Sequence, residues 1–493
     1  MFKIPKEIKN ISEKLEKTGF ESYLVGGCVR DLLLGLIPKD WDITTNAVPE
    51  EIQKIFPDSF YTNEFGTVGV KTNIGTSDVQ KLNIVEITTF RTEGKYTDKR
   101  HPDSIKFAKT IEEDLARRDF TVNAIAFFLQ PTTYKLTPEI IDPFAGQEDL
   151  QLKIIRTVGN PDERFNEDAL RLIRAVRFAA QLNFTIEKKT GESIKKNAEL
   201  LEFIAKERIR DELEKIIALP NASDGIRELE KYDLLRHIIP ELREGINCGQ
   251  NKHHIYTVFE HNIRALQYTA DKNYSNIVRL SSLLHDVGKP RVKYGDGPNS
   301  TFYNHEIVGG KITKKILERL HYPNEAVERI SHLVRNHLFY YNVGEVTEAG
   351  VRRFLVRVGV ENIDDLLKVR EADRIGSGVP KAFPYKLRHL LFMIEKVKHD
   401  PLSPRMLKIK GDDVMRLLKI KPSPKVGFIL SILLEEVLDE PKKNTKEDLE
   451  HRINDLGKLS ETELKTLSAK AKSKKEEFES GLEKEMKKKY FVS

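Results

Sequence analysis

Cysteine is scarce: Cys28 and Cys248 are the only two among 493 residues, too few and too far apart for a disulfide framework or a zinc-ribbon pattern. The chain has one tryptophan, Trp41, and no apolar run long enough to span a bilayer. Its opening, MFKIPKEIKNISEKLEKTGF, mixes Lys with Glu and has no hydrophobic stretch of the kind a secretory signal needs. Net charge is low as well. The 82 Lys and Arg against 76 Asp and Glu leave +6, so any surface for a polyanion must come from how the cations are distributed. These absences exclude a disulfide-stapled module and a membrane protein, and a cytoplasmic protein in a reducing compartment is expected. The length and a hydrophobic content of 39% call for several cores.

After an amphipathic first helix, residues 20–146 read as short β-rich runs (YLVGG, DWDITT, TVGVKT, NIVEITTF) separated by helical patterns, an α/β or α+β head. From about Asp149 helical periodicity takes over, beginning with EDALRLIRAVRFAAQL. Residues 250–375 hold most of the histidines and mark a separate functional unit. The Lys/Glu-rich end predicts a solvated helix or a disordered tail.

In YLVGGCVRDLLLG, Gly26 and Gly27 join an apolar strand to a helix, a turn that presents backbone N–H groups to phosphate, with Arg30 adding charge. In the following DWDIT, strand alternation would point Asp40 and Asp42 the same way and Trp41 the other. Adjacent carboxylates repel unless they share a cation such as Mg²⁺, and two-metal catalysis uses such a pair.

GGCVRDLLLG followed by KDWDITT resembles the signature of the polymerase-β-like superfamily, in the branch of bacterial-type (class II) CCA-adding tRNA nucleotidyltransferases and poly(A) polymerases. The resemblance runs through most of the chain. It implies that Asp40 and Asp42 hold catalytic Mg²⁺, with Glu86 of NIVEITTF as a third acidic group, and that Gly27 and Arg30 meet the incoming triphosphate. EEDLARRDFTVNAIAF resembles the family's RRD-F-T-x-N-A segment, which assigns Arg118, Asp119 and Asn123 to the nucleotide; by spacing, Asp119 and Asn123 fall about one helical turn apart.

RFNEDALRLIRAVRF resembles the family's E-D-x-x-R motif. Asp168 and Arg171, three residues apart, would share one face of a helix. Cytosine and adenine each present an amine donor beside a ring-nitrogen acceptor, which a carboxylate and a guanidinium can match, whereas uracil and guanine reverse the pattern. A wrong base then leaves a charged group unpaired. Arg174 and Arg177 continue the stripe; the resemblance gives them to the nucleotide, and the alternative is a basic face solvated or lying on tRNA phosphate.

His261 in FEHNIRAL, His285 and Asp286 in LLHDVGKP, and Asp373 in READRIG follow the H…HD…D order of the HD phosphohydrolase superfamily, whose helices converge on a divalent metal. Imidazole nitrogen with carboxylate suits a transition metal better than magnesium. His305 and His337 stand where some HD enzymes add ligands for a second metal, and equally fit substrate-binding or structural roles. The resemblance implies a phosphatase or 2′,3′-cyclic phosphodiesterase activity. Further on, KPSPKVG places lysines and N–H groups at a helix start, an expected tRNA phosphate contact.

The expected architecture is multidomain: an α/β polymerase-β-like nucleotidyltransferase head (1–148), then an elongated all-α neck that selects the base (149–249), an HD domain (250–378), a helical body and tail contacting tRNA (379–456) and a charged end (457–493). The expected activity is addition of CMP and AMP from CTP and ATP to the tRNA 3′ end without a template. TTFRTEGKYTDKRHPDSI resembles the flexible loop that CC-only enzymes lack, and FGTVGV (Phe65–Val70) stands where poly(A) polymerases carry a basic G-[RK]-[RK]-F-like segment. An A-adding-only enzyme shares every motif. An HD-type phosphodiesterase with a nucleotide-binding head, and a non-catalytic RNA-binding protein, are the alternatives from other classes.

Overall fold

A computed structural model of the chain describes residues 2–63, 66–72, 84–93, 105–129, 139–251, 255–339, 341–343, 346–378 and 384–469. Most of the loop compared with CC-only enzymes (94–104), Phe65, and the charged end from 470 onward lie outside the described residues. The N-terminal β-rich runs fold into β1 (Ser22–Val25), β2 (Asp42–Thr45), β3 (Ser59–Asn63), β4 (Thr67–Lys71), β5 (Ile84–Thr89), β6 (Arg91–Glu93), β7 (Ile105–Phe107), β8 (Ala126–Phe128) and β9 (Glu139–Ile141). Among the described residues β6 pairs with β7, and the others form a seven-stranded sheet in the order β3-β4-β5-β2-β1-β8-β9.

The pairing of β2 with β5 is parallel, and its neighbours in the sheet are antiparallel. All four residues of β1 are buried, so that strand is covered on both faces. In β5, by contrast, Val85, Ile87 and Thr89 turn inward while Glu86 is exposed. The register sets Asp42 of β2 directly beside Glu86 of β5, so two carboxylates share this more open face.

Helices follow, as the periodicity predicted. Pro161–Glu167 starts with Pro at its first turn and with the Asn160 side chain accepting from the Asp162 amide. Leu170–Leu182 buries Leu172, Ile173, Ala175, Val176 and Ala179 and stops where Asn183 adopts φ +55°. One compact unit of the chain comprises Met1–Glu244 with Ala270–Asn276 and Lys315–Pro323. The second comprises Gly245–Thr269, Ile277–Lys314 and Asn324–Ser493. In the second unit, Leu355, Leu366, Leu390, Ile429, Leu433, Val437 and Ile453 belong to one apolar core. Among the described residues no helix is long and apolar enough to cross a membrane. The mixed α/β head followed by a largely helical chain agrees with the expected fold class.

Candidate active sites

The head site is built on the β1 turn. Gly26 has φ +75° and ψ −134°, a conformation closed to side-chain-bearing residues, and it swings the chain from β1 into the helix Gly27–Leu33. A Cβ there would lie 3.0 Å from Arg118 Nη1 and 3.6 Å from Asp42 Oδ2, so Gly26 is also the floor on which those two side chains meet. The same turn corrects one expectation. Because β1 leaves the sheet after Val25, its pairing with β2 ends at Asp42, and Asp40 stands in the exposed bend before the strand rather than alternating along it. Burial pushes the Asp42 carboxyl up to about 6, against the Arg118 guanidinium; Glu86 and Asp40 add to the rise. Three acidic groups facing one arginine form a site short of positive charge, which fits a divalent cation.

Arg118 is held from behind by Asp114, 3.3 Å away, and Arg117 meets the same carboxylate at 2.8 Å. Asp114 is fully buried, yet the two guanidiniums keep its carboxyl below the usual range. Asp119 and Asn123 do not lie on one α-helix as their spacing suggested: the intervening Phe120 makes a β-bridge to Thr157, and Thr121–Asn123 is a short 3₁₀ turn. Their side chains are nonetheless joined, Asn123 Nδ2 donating to Asp119 Oδ1 at 3.1 Å. Arg30, buried, donates to Asn123 Oδ1 at 2.8 Å and to Asp31. Arg174 closes the chain on Asp119 Oδ2 at 2.9 and 2.5 Å. Burial would raise the Asp119 carboxyl, but Arg174 and Asn123 bring it down to about 2.

Asp168 and Arg171 do not share a helix face. Asp168 lies between two helices in an extended conformation (φ −135°, ψ 103°), where its carboxylate accepts from the Leu170 amide and starts the next helix. Each of the pair has its own counter-ion. Arg208, from the helix Lys206–Ile217, forks onto Asp168 at 3.2 and 2.8 Å, while Arg171 meets Glu167 at 2.5 Å and donates to the Arg117 carbonyl at 3.1 Å. Nor is the stripe beyond them a solvated basic face. Arg177 lies 2.7 Å from Glu212, and burial depresses its pKa. The Phe178 ring receives the guanidiniums of Arg30, Arg174 and Arg177 at 5.3, 5.2 and 4.1 Å.

In the second unit the helices Val258–Asp271, Asn276–Leu284 and Ile363–Gly376 bring His261, His285, Asp286 and Asp373 together, with one ligand atom from each lying within 4.8 Å of the others. His261 Nε2 is 2.8 Å from His285 Nε2, 3.1 Å from Asp286 Oδ2 and 3.3 Å from Asp373 Oδ1. Asp286, His305 and His337 form a second such group, in which both histidines face Asp286 Oδ1, at 3.4 and 3.6 Å. The carboxylate of Asp286 therefore stands between two sets of nitrogens. Local geometry fixes the rings: Nδ1 of His285, His305 and His337 each lies 2.7 Å from the backbone carbonyl three residues earlier, which turns Nε2 inward, where its lone pair is available to a cation whenever the ring is neutral. Gly288 permits the close packing, since a Cβ there would fall 2.3 Å from the His305 carbonyl oxygen.

These groups are buried, and their titration is strongly displaced. Burial opposes charge on His285, but Asp286 and Asp373 raise it to about 10; burial lowers His305 to about 3. Asp286 Oδ2 lies 2.6 Å from Lys289 Nζ yet accepts no well-directed hydrogen bond among the described residues. Inward imidazole nitrogens around buried anionic oxygens fit a divalent metal.

Several partners were not read from the sequence. Asp114, Glu167 and Lys289 had a local signal, at i, i+3 or i, i+4 from Arg117, Arg118, Arg171 and Asp286. Arg208 and Glu212 had none. Lys425 of KPSPKVG is not directed at an external phosphate: it donates to the Gly457 and Leu459 carbonyls at 2.9 Å, while Lys421 is exposed.

Comparison with known families matches residues 22–156 to the poly A polymerase head domain, 183–246 to a probable RNA and SrmB- binding site of polymerase A, and 258–376 to the HD domain. The CCA-adding enzyme of Ligilactobacillus salivarius is 48% identical over 238 residues, 48% of this chain and 55% of that protein. The A-adding tRNA nucleotidyltransferase of Deinococcus radiodurans is 36% identical over 346 residues, 68% of this chain and 76% of that protein. The crystal structure of the Bacillus stearothermophilus CCA-adding enzyme in complex with CTP superposes with a TM-score of 0.64 at 27% identity, covering 91% of this chain and 96% of that one. By sequence, the chain spans about half the length of the first curated relatives it matches, 55% and 51% of the leading two. The chain belongs to the bacterial tRNA nucleotidyltransferase family of CCA-adding and A-adding enzymes, with a poly A polymerase-type head domain and an HD domain.

Proposed function

We propose that the chain adds CMP and AMP, from CTP and ATP, to the 3′ end of tRNA. One observation carries this reading: the Arg171 guanidinium donates to the carbonyl of Arg117, the residue before Arg118, so the base-reading neck is bonded to the segment that faces Asp42. In this reading Asp40, Asp42 and Glu86 hold Mg²⁺, which would activate the tRNA hydroxyl and neutralise the leaving phosphate. The Gly26–Gly27 turn, Arg30 and Arg118 grip the triphosphate. Asp119 and Asn123, locked to Arg30 and Arg174, fix the sugar end of the nucleotide, and Asp168 and Arg171 exchange Arg208 and Glu167 for the edge of cytosine or adenine, with Arg174 and Arg177 beside them.

The HD domain is proposed to hydrolyse phosphate esters with a transition metal on His261, His285, Asp286 and Asp373, and with His305 and His337 on the far side of Asp286. Reduced Cys28 and Cys248, both free and buried, suit a cytoplasmic setting. A second reading, addition of the terminal A alone, is favoured by the broad coverage of the A-adding relative. Extension of tRNA transcripts ending before CCA, after CC and after CCA, with each nucleotide separately, decides between them. AMP incorporation confined to the CC-ended transcript would remove the full CCA assignment, and no incorporation on any of them would remove both.

A further inference from the structure

The helix Tyr385–Val397 buries Leu387, Leu390, Ile394 and Val397 on one side, whereas Tyr385 and Phe392 on the other are each 62% exposed. Spacing at i, i+4 and i+7 aligns Tyr385, His389 and Phe392 in a row, with 6.0 Å between the centroids of successive rings. Tyr341 joins from another segment, 5.8 Å from the His389 ring, its hydroxyl 2.5 Å from His389 Nδ1. That contact fixes the middle rung. The row is a built feature that the apolar core does not use.

Cations frame it: Lys386, Arg388, Lys396 and Lys398 stand on the helix or one residue past it, against Glu395. Lys396 touches Glu348 and Lys398 touches Glu395, while Lys386, next to Tyr385, donates to the neutral side chain of Asn342 and brings its positive charge to the edge of the row. An interface with another protein would deplete charge around exposed rings, whereas unpaired nucleotides need both parts, rings for the bases and cations for the phosphates. We propose that the Tyr385–His389–Phe392 row is a stacking platform for unpaired nucleotides of RNA. Stacking is indifferent to base identity, which suits an enzyme that must accept many tRNAs. The inference rests on the reading of tRNA as substrate.

The test compares the full-length wild type with a Tyr385→Ala/Phe392→Ala double variant, by fluorescence anisotropy of a labelled short uridine oligomer and by steady-state nucleotide addition to a tRNA transcript lacking CCA. The expected result is a loss of oligomer affinity of roughly 10-fold or more and a similar rise in KM for tRNA, with kcat and the KM for CTP unchanged. Tyr385→Phe/Phe392→Trp should retain wild-type binding. Unchanged RNA affinity in the alanine variant overturns the proposal. So does a wild-type dimer, seen by sedimentation, that the alanine variant dissolves while keeping its RNA affinity. If the wild type extends no tRNA, the proposed activity fails, and oligomer binding still decides the platform.

Discussion

The β2–β5 site and the HD cluster both concentrate carboxylates, but they are finished to different degrees. In the HD cluster the ligand atoms of four residues already converge within 4.8 Å, and three of the rings are fixed by backbone carbonyls. Around the head site the charged groups are instead paired with one another: Arg118 with Asp114, Arg174 with Asp119, Arg171 with Glu167 and Asp168 with Arg208. A small ion needs a preformed cage whose geometry does not change between turnovers. A site that is to take two different nucleotides needs charges that can change partners, and resident counter-ions keep them from being buried unpaired in between. The contrast predicts two sites that can be broken separately.

The largest effect is expected from Asp42→Asn. It removes the carboxylate that faces Glu86 and Arg118, and nucleotide addition should fall by about 10³-fold or more while phosphoester hydrolysis persists. Trp41, the only tryptophan, sits buried next to Asp42, so its emission should respond to Mg²⁺ with CTP in the wild type and not in the variant. Next comes Asp286→Asn. Hydrolysis of a model phosphomonoester and of a 2′,3′-cyclic phosphate should drop by more than about 100-fold, and equilibrium dialysis should show weaker Mn²⁺ or Ni²⁺ retention, with nucleotide addition intact. Loss of addition in this variant would join the two sites and break the comparison.

Motifs carried within one turn or strand were legible. The Asp-x-Asp motif, the glycine turn and the HD dipeptide each depend on a few neighbouring residues, whereas Glu86 and the full H…HD…D order, spread from His261 to Asp373, were read from the family resemblance. What failed did so where tertiary packing chose the partner. Spacing put Asp168 and Arg171 on one helix face, but Asp168 is an extended residue between two helices, and its carboxylate meets the Leu170 amide and Arg208, a residue from another helix. Asp40 fell off its strand because Gly26 removes the neighbouring one, a consequence of pairing that no local alternation shows. The aromatic row likewise needs Tyr341 beside His389, from a segment distant in sequence.

Arg208→Ala tests whether resident counter-ions matter for selection. With Asp168 no longer held at both oxygens, discrimination of CTP and ATP against UTP and GTP should fall by roughly 100-fold, read as the ratio of kcat/KM values. A purely structural role would lower all four nucleotides together. Arg208→Lys restores the charge without the fork and should recover only part of the selectivity.

The smallest effect concerns Asp119. Its folded-state carboxyl lies at about 2 against an ordinary value of 3.8, because Arg174 overrides the penalty of burial. A depressed carboxyl contributes stability that is fully present above the ordinary value and is lost as pH falls through the folded value. The contribution is on the order of 2 kcal/mol at neutral pH. Urea unfolding of the wild type and Asp119→Asn should therefore differ most near neutrality, and the gap should close between about pH 4 and pH 2. A gap that stays constant with pH would mean that Asn123 and the Phe120 amide, rather than the charge of Arg174, hold Asp119 in place. The paired-charge description of the head would then have to yield to one of neutral hydrogen bonds, as around the HD rings.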